Sequence, residues 1–172
     1  MSNLVICGFK GCGKTTFGKA LAKKIGYDFI DTDYLIADDC RTFYEKVGEE
    51  AFRLAEKQAI AFLETVERAV IATGGGAILD PDNVALFKKI GKIIYIKEEK
   101  AVVKARLLQK PYPAFFLGKD IEREFEDMYS RRVSIYEAIW DITHLELSCR
   151  SRHGENLMEK LSALSSMVVL QD

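Results

Sequence analysis

Leu4-Val5-Ile6-Cys7-Gly8-Phe9-Lys10-Gly11-Cys12-Gly13-Lys14-Thr15 runs from an apolar segment into a glycine-rich loop of the pattern G-x-x-x-x-G-K-[ST]. The glycines stand where a backbone must turn tightly and approach an anion, so that successive N–H groups face phosphate oxygens. Lys14 supplies a point charge for terminal phosphates and the Thr15 hydroxyl a ligand for Mg²⁺. The four apolar residues in front read as a strand buried on both faces. The segment behind reads as a helix over Lys14 to Ile25, with Phe17, Ala20, Leu21 and Ile25 at helical spacing and Gly26 as its stop. The N-terminus of that helix directs its positive dipole end at the same anion. This strand, loop and helix predict a nucleotide polyphosphate site at Gly11, Cys12, Gly13, Lys14, Thr15 and Thr16.

Working outward, four further strand-like segments alternate with helices. Tyr27 to Thr32 is the second strand, Ala69 to Thr73 the third, Lys92 to Ile96 the fourth and Trp140 to Leu147 the fifth. Between them, Tyr34 to Val47 reads as a pair of short helices. A longer helix begins at Gly48 and runs to about Val66, with Phe52, Ala55, Ala59 and Phe62 on its inner face. Asp80-Pro81 opens a helix that ends near Gly91, Glu99 to Leu108 forms the next, then Asp120 to Ala138, and Gly154 to Leu170 closes the chain. Lys110-Pro111-Tyr112-Pro113-Ala114-Phe115-Phe116-Leu117-Gly118, with two prolines and exposed-looking aromatics, breaks the rhythm and reads as a lid at about 109–118. Strands alternating with helices predict an α/β domain, a five-stranded parallel sheet with helices on both faces, because parallel strands need helical crossovers.

The balance of 48% hydrophobic and 30% charged residues over 172 positions fits one globular domain with a single core. A formal net charge of -1 leaves no electrostatic footprint for nucleic acid. No apolar run approaches a membrane span of about 18 residues, and no basic stretch leads into a long apolar one at the start, so a cytoplasmic location is expected. With no coiled coil or other self-association device, a monomer is expected. Cys7, Cys12, Cys40 and Cys149 lack zinc-site spacing and are too few for a disulfide framework. Cys12, beside a helix N-terminus, reads either as a thiol of lowered pKa or as a small residue that fits the loop.

The groups that would decide the fate of the phosphate stand where strands meet loops. Asp31-Thr32-Asp33 follows the second strand, and Gly74-Gly75-Gly76 the third, where an open α/β sheet forms its ligand crevice. The triple glycine reads as a backbone that something approaches closely, or as a flexible turn. One carboxylate can hold a hydrated Mg²⁺ while the other takes the proton of a substrate hydroxyl. Arg53 and Arg132 carry the planar fork that binds a carboxylate or phosphate bidentately. The implied acceptor has both a hydroxyl and an anionic group.

Four motifs in order make the chain resemble the shikimate kinases over nearly its whole length. They are the cradle with D-T-D at Asp31 to Asp33, G-E-x-x-F-R-x-x-E at Gly48, Glu49, Phe52, Arg53 and Glu56, the triple glycine, and R-x-x-x-Y from Arg132 to Tyr136. The resemblance implies the three-layer, nucleoside monophosphate kinase-like fold and transfer of phosphate from ATP, with Mg²⁺, to the 3-hydroxyl of shikimate. It implies that Asp33 contacts the reacting hydroxyl, Arg53 and Arg132 the carboxylate, and Gly75 and Gly76 the ring hydroxyls, with Phe52 and Tyr44 lining the ring. It implies Lys14 on the transferring phosphoryl, Thr15 on the metal, and Asp31 on the metal through water. Asp33 as true base and Asp33 as mere orienting group both fit, because loose phosphoryl-transfer transition states need little early proton removal.

The lid departs from the family pattern. Where shikimate kinases carry R-P-L-L this chain has Lys110-Pro111, and Arg106 lies several residues short of that place. Lys110 is expected to replace the lid arginine with a charge but no fork, the alternative being a solvated Lys110 with Arg106 or Arg131 in that role, and Arg152, with Arg150, to flank the adenine. Two other readings remain at this point. One is a kinase of another small hydroxy acid or nucleotide, and the other a non-catalytic nucleotide-binding module.

Overall fold

A computed structural model describes residues 2–109, 112–116, 120–141, 143–146 and 162 of the chain. The strands are β1 (Asn3–Cys7), β2 (Asp28–Asp31), β3 (Ala69–Ala72), β4 (Gly91–Lys97) and β5 (Thr143–Glu146). The helices are α1 (Lys14–Ile25), α2 (Thr32–Ile36), α3 (Cys40–Ala61), α4 (Pro81–Ile90), α5 (Lys100–Leu107) and α6 (Ile121–Ile139). The five strands form one parallel sheet in the order β2-β3-β1-β4-β5. Every residue of β1 and β3 is buried, as expected of strands covered on both faces, whereas β2 lies at an edge and none of its residues is buried.

The strand order creates the site. From β1 the chain leaves through α1 toward β2, and from β3 it leaves through α4 toward β4 on the other side, so connections diverge from two neighbouring strands. The crevice of an open α/β sheet lies outside the carboxyl ends of such a pair. Here those ends carry the glycine-rich loop and the triple glycine.

Asn3 seals the opposite end of β1. It is 1% exposed, its Nδ2 donates to the carbonyls of Val66 (2.7 Å) and Ile90 (3.1 Å), and its Oδ1 accepts from Ala69 N–H (2.9 Å). A buried amide with three partners offsets its own desolvation and locks the strand register.

Three expectations change. The helix predicted from Gly48 begins earlier: α3 starts at Cys40, capped by Asp39, and passes through a break at Gly48 (φ 78°, ψ 176°) before ending in a 3-10 turn at Phe62–Thr65. Its inner face is Phe52, Glu56, Ile60 and Leu63. Phe62 is 72% exposed, because the buried stripe runs through a carboxylate that hydropathy alone assigns to solvent. In the lid segment the aromatics turn inward: Ala114–Phe116 is a 3-10 turn, Phe116 is buried and Phe115 packs beside it at 4.7 Å. The predicted terminal helix over Gly154 to Leu170 lies outside the described residues.

Candidate active site

The donor side is made almost entirely of backbone. Gly8, Gly11 and Gly13 have φ of 149°, 82° and 99°, in the region that disfavours a side chain. At Gly8 a Cβ would also stand 2.6 Å from the Ile96 carbonyl oxygen. Lys14 folds along the loop, its Nζ donating to the carbonyls of Gly8 (2.8 Å) and Phe9 (2.7 Å). An ammonium has three donors, and the third faces Cys12 Sγ at 4.0 Å, a long contact to a weak acceptor that a phosphate oxygen would outcompete. Thr15 Oγ1 donates to Asp31 Oδ2 at 2.8 Å, while Asp31 Oδ1 caps α2 by accepting from Asp33 N–H. A hydroxyl and a carboxylate thus stand together at the mouth of the cradle, hard oxygen donors of the kind Mg²⁺ takes one or two at a time. Among the described residues there is no cluster of three or more His, Cys, Asp or Glu that could hold a metal.

Two sequence expectations for this side are corrected. Arg106 is not too short: from α5 its guanidinium donates to the Gly11 carbonyl and pairs at 3.2 Å with buried Glu98. Helix α5 packs its last turn directly over the loop, which residue counting along the lid does not reveal. Cys12 is 1% exposed, and burial pushes its thiol pKa up, outweighing the pull of Lys14, so the fitted-loop reading holds. Thr16 is exposed in the first turn of α1. Lys110, Arg150 and Arg152 lie outside the described residues.

The acceptor side is a pocket made mostly of side chains from separate elements. It gathers Asp33 from α2, Tyr44, Phe52 and Arg53 from α3, Gly75 and Gly76 after β3, and Arg132 from α6, all of which the sequence singled out for it. Thr32, fully buried, accepts from Gly74 N–H at 2.8 Å and ties the D-T-D turn to the triple glycine. This holds Asp33 so close to Gly74 that a Cβ there would stand 2.6 Å from its Oδ1. Asp33 keeps an exposed edge at the pocket rim, yet the protein wall around its carboxyl raises the pKa above the usual aspartate value. The Asp31 charge raises it further, and Lys14, Lys10 and Arg53 pull it back.

Arg53 Nη1 pairs with Glu56 Oε2 at 2.6 Å, and its guanidinium lies 5.4 Å from the Phe52 ring centroid. Burial raises the Glu56 pKa despite this partner. Arg53 fills the space over Gly76, where a Cβ would overlap the guanidinium, and Glu56 lies over Gly74. Arg132 is 6% exposed, donates from Nη1 to the Gly75 carbonyl at 3.1 Å, and sits 5.8 Å from the Phe115 ring. Burial lowers its pKa, and its buried Nε has no hydrogen-bond partner among the described residues, leaving a donor for an anion. Tyr44 and Phe43 flank Phe52 at 5.3 and 6.2 Å to complete an apolar wall.

Sequence reading assigns no acceptor-side role to Lys10, Cys40, Arg41, Glu56 or Phe115, which also line the pocket, together with Gly74 of the triple glycine. Lys10 could have been found, since it belongs to the cradle loop. Glu56 shows in the sequence only as a motif residue, and Cys40, Arg41 and Phe115 carry no local signal, because their placement depends on the break at Gly48 and on the fold of the lid. Donor and acceptor sides meet where the triple glycine faces the cradle: Lys10 lines the pocket, and a Cβ on Gly75 would stand 3.1 Å from Lys10 N. Such a junction suits transfer of a phosphoryl group from a nucleotide to an anionic, hydroxylated acceptor.

Comparison with known proteins agrees. The family model described as shikimate kinase matches residues 10–163. The shikimate kinase of Thermodesulfovibrio yellowstonii is 35% identical over 141 residues, covering 80% of this chain and 82% of that protein. Shikimate kinase 2 of Yersinia pseudotuberculosis is 36% identical over 148 residues, covering 82% and 83%. The fold matches that of Acinetobacter baumannii shikimate kinase, solved in complex with shikimate, with a TM-score of 0.82 at 23% identity over 100% of this chain and 95% of the other. The cradle, the pocket that meets it and these relationships agree, and the chain belongs to the shikimate kinase family.

Proposed function

We propose that the chain transfers the γ-phosphoryl group of ATP to the 3-hydroxyl of shikimate, giving shikimate 3-phosphate and ADP, with the side chains of the junction in defined roles. The observation that carries this is the packing of the Gly75 backbone against the Lys10 backbone, which supports one cavity shared by donor and acceptor. The substrate carboxylate lies between Arg53 and the free Nε of Arg132, its ring against Phe52 and Tyr44, and its hydroxyls on the Gly75 and Gly76 backbone. Asp33 accepts a hydrogen bond from the 3-hydroxyl and takes its proton as the new O–P bond forms and the bond to the ADP oxygen breaks. Its raised pKa favours that uptake. Lys14 faces the transferring group, and the N–H groups of Gly11, Cys12 and Gly13 with the hydroxyls of Thr15 and Thr16 hold the phosphates. Thr15 and Asp31 would hold Mg²⁺, which when bound neutralises charge on the phosphates.

Lys110 supplies the lid charge and Arg152 the adenine flank in this reading. The chain works as a single monomeric domain in the cytoplasm, with its lid at about 109–118. Among the described residues no helix is long and apolar enough to cross a membrane. Coupled measurement of ADP release with shikimate, gluconate and nucleoside monophosphates tests the assignment. Turnover with shikimate alone is expected. Turnover with another acceptor, or nucleotide binding without turnover, sinks it. Lys110→Ala is expected to raise the KM for ATP, and unchanged kcat and KM would remove that residue from the site.

A further inference from the structure

Tyr136 is fully buried on α6, is not among the residues that line the acceptor pocket, and has no role in the chemistry above. Its ring is fixed independently of its hydroxyl, stacked on Tyr95 at 5.1 Å (11° between planes) and edge-on to Phe9 at 5.4 Å. The hydroxyl stands 2.9 Å from the Gly8 carbonyl oxygen and 2.7 Å from that of Gly75, and donates its one proton to either. The first carbonyl also accepts from Lys14 Nζ and the second from Arg132 Nη1. One hydroxyl therefore bridges the two loops by a single shared or alternating proton, between two carbonyls that are also held by the cation of the donor loop and the cation of the acceptor pocket. The two loops follow different strands, and their backbones approach at Lys10 and Gly75, where a Cβ on Gly75 would stand 3.1 Å from Lys10 N.

We propose that Tyr136 is a positioning residue that sets the separation of the two loops and so aligns the phosphoryl donor with the acceptor hydroxyl. The proposal rests on the kinase reading above. Each carbonyl keeps a second donor when the hydroxyl is removed, so Tyr136→Phe leaves no buried acceptor orphaned and the stacked ring stays in place. What is lost is the tie between loops. Misplacement of reacting groups by a fraction of an ångström to 1 Å lowers the rate up to about a hundredfold without weakening either ligand.

The test compares Tyr136→Phe with Tyr95→Phe, which removes a hydroxyl from the same aromatic stack without cutting the link. Rates are normalised to nucleotide-binding sites titrated in each preparation. In Tyr136→Phe, kcat with shikimate is expected to fall at least fivefold while both KM values stay within threefold of wild type. Tyr95→Phe is expected to match wild type. A merely structural role lowers the melting temperature and leaves kcat of the folded enzyme intact. A fall of less than fivefold, a fall matched by Tyr95→Phe, or one accompanied by a KM change beyond threefold overturns the proposal. Absence of wild-type turnover with shikimate instead overturns the kinase reading on which it rests.

Discussion

The two halves of the active site are built by different physical means. The cradle is eight consecutive residues whose ligands are backbone N–H groups, fixed by three glycines at positive φ and one helix N-terminus. The acceptor pocket draws single side chains from α2, α3 and α6 and from the loop after β3, and holds them by pairing, as in Arg53 with Glu56 and Arg132 with the Gly75 carbonyl. A backbone site is disturbed by adding a Cβ. A side-chain site is disturbed by removing one charge, and the damage spreads to the partner left behind.

The largest break in this contrast comes from Asp33→Asn. Loss of the proton acceptor is expected to lower kcat by about a thousandfold, while the melting temperature rises by about 1–2 °C. The sign follows from the raised pKa: the folded carboxyl holds its proton more tightly than in the unfolded chain, so ionisation costs stability as pH rises through the folded pKa. Asparagine removes that cost, and the gain is small because the group reaches solvent at the pocket rim. In the wild type the acid limb of kcat/KM is expected to inflect above the ordinary aspartate value. A limb at that value, or a lowered melting temperature in the variant, would contradict the assignment.

Arg53→Ala is expected to raise the KM for shikimate about a hundredfold, the scale of a lost charge-assisted contact, and to leave the KM for ATP unchanged. It also strands Glu56, 3% exposed, as a buried carboxylate without its partner and lowers the melting temperature. Adding Glu56→Gln should recover the melting temperature and not the KM. Recovery of both would mean that Arg53 serves stability alone.

A matched pair of glycine substitutions sharpens the contrast further. Gly13→Ala forces a side chain into φ 99°, and that strain is expected to raise the KM for ATP about tenfold with little change for shikimate. Gly76→Ala intrudes on the Arg53 guanidinium and is expected to do the reverse, raising the KM for shikimate about tenfold. If both variants shifted the same KM, the halves would not be separable. The smallest effect concerns Cys12. Buried and with a raised pKa, it should stay unmodified by iodoacetamide over hours in the folded enzyme, as read by intact mass.

Legibility in the sequence followed the same division. The cradle and the strand alternation are readable because glycine spacing and apolar period are local signals, and β1 and α1 lie within a few residues of their predicted places. Asp33, Arg53, Gly75 and Arg132 were nameable by resemblance to a family. Glu56 was visible as a motif residue but not as a buried one, since a carboxylate on a helix predicts solvent. Arg106 and Phe115 were placed wrongly because their positions depend on how α5 and the lid pack over the loops.

By itself the amino-acid sequence determined a parallel α/β fold and a phosphate-binding loop, because strand burial, helix period and glycine conformation are properties of neighbouring residues. Only the tertiary structure decided that β1 and β3 lie side by side, and hence that the cradle and the triple glycine share a crevice. It alone brought Tyr136, 128 residues along the chain from Gly8, into hydrogen-bond range of both loops. Such contacts arise from the order in which strands pack, and that order is set by the global burial of apolar surface rather than by any local pattern.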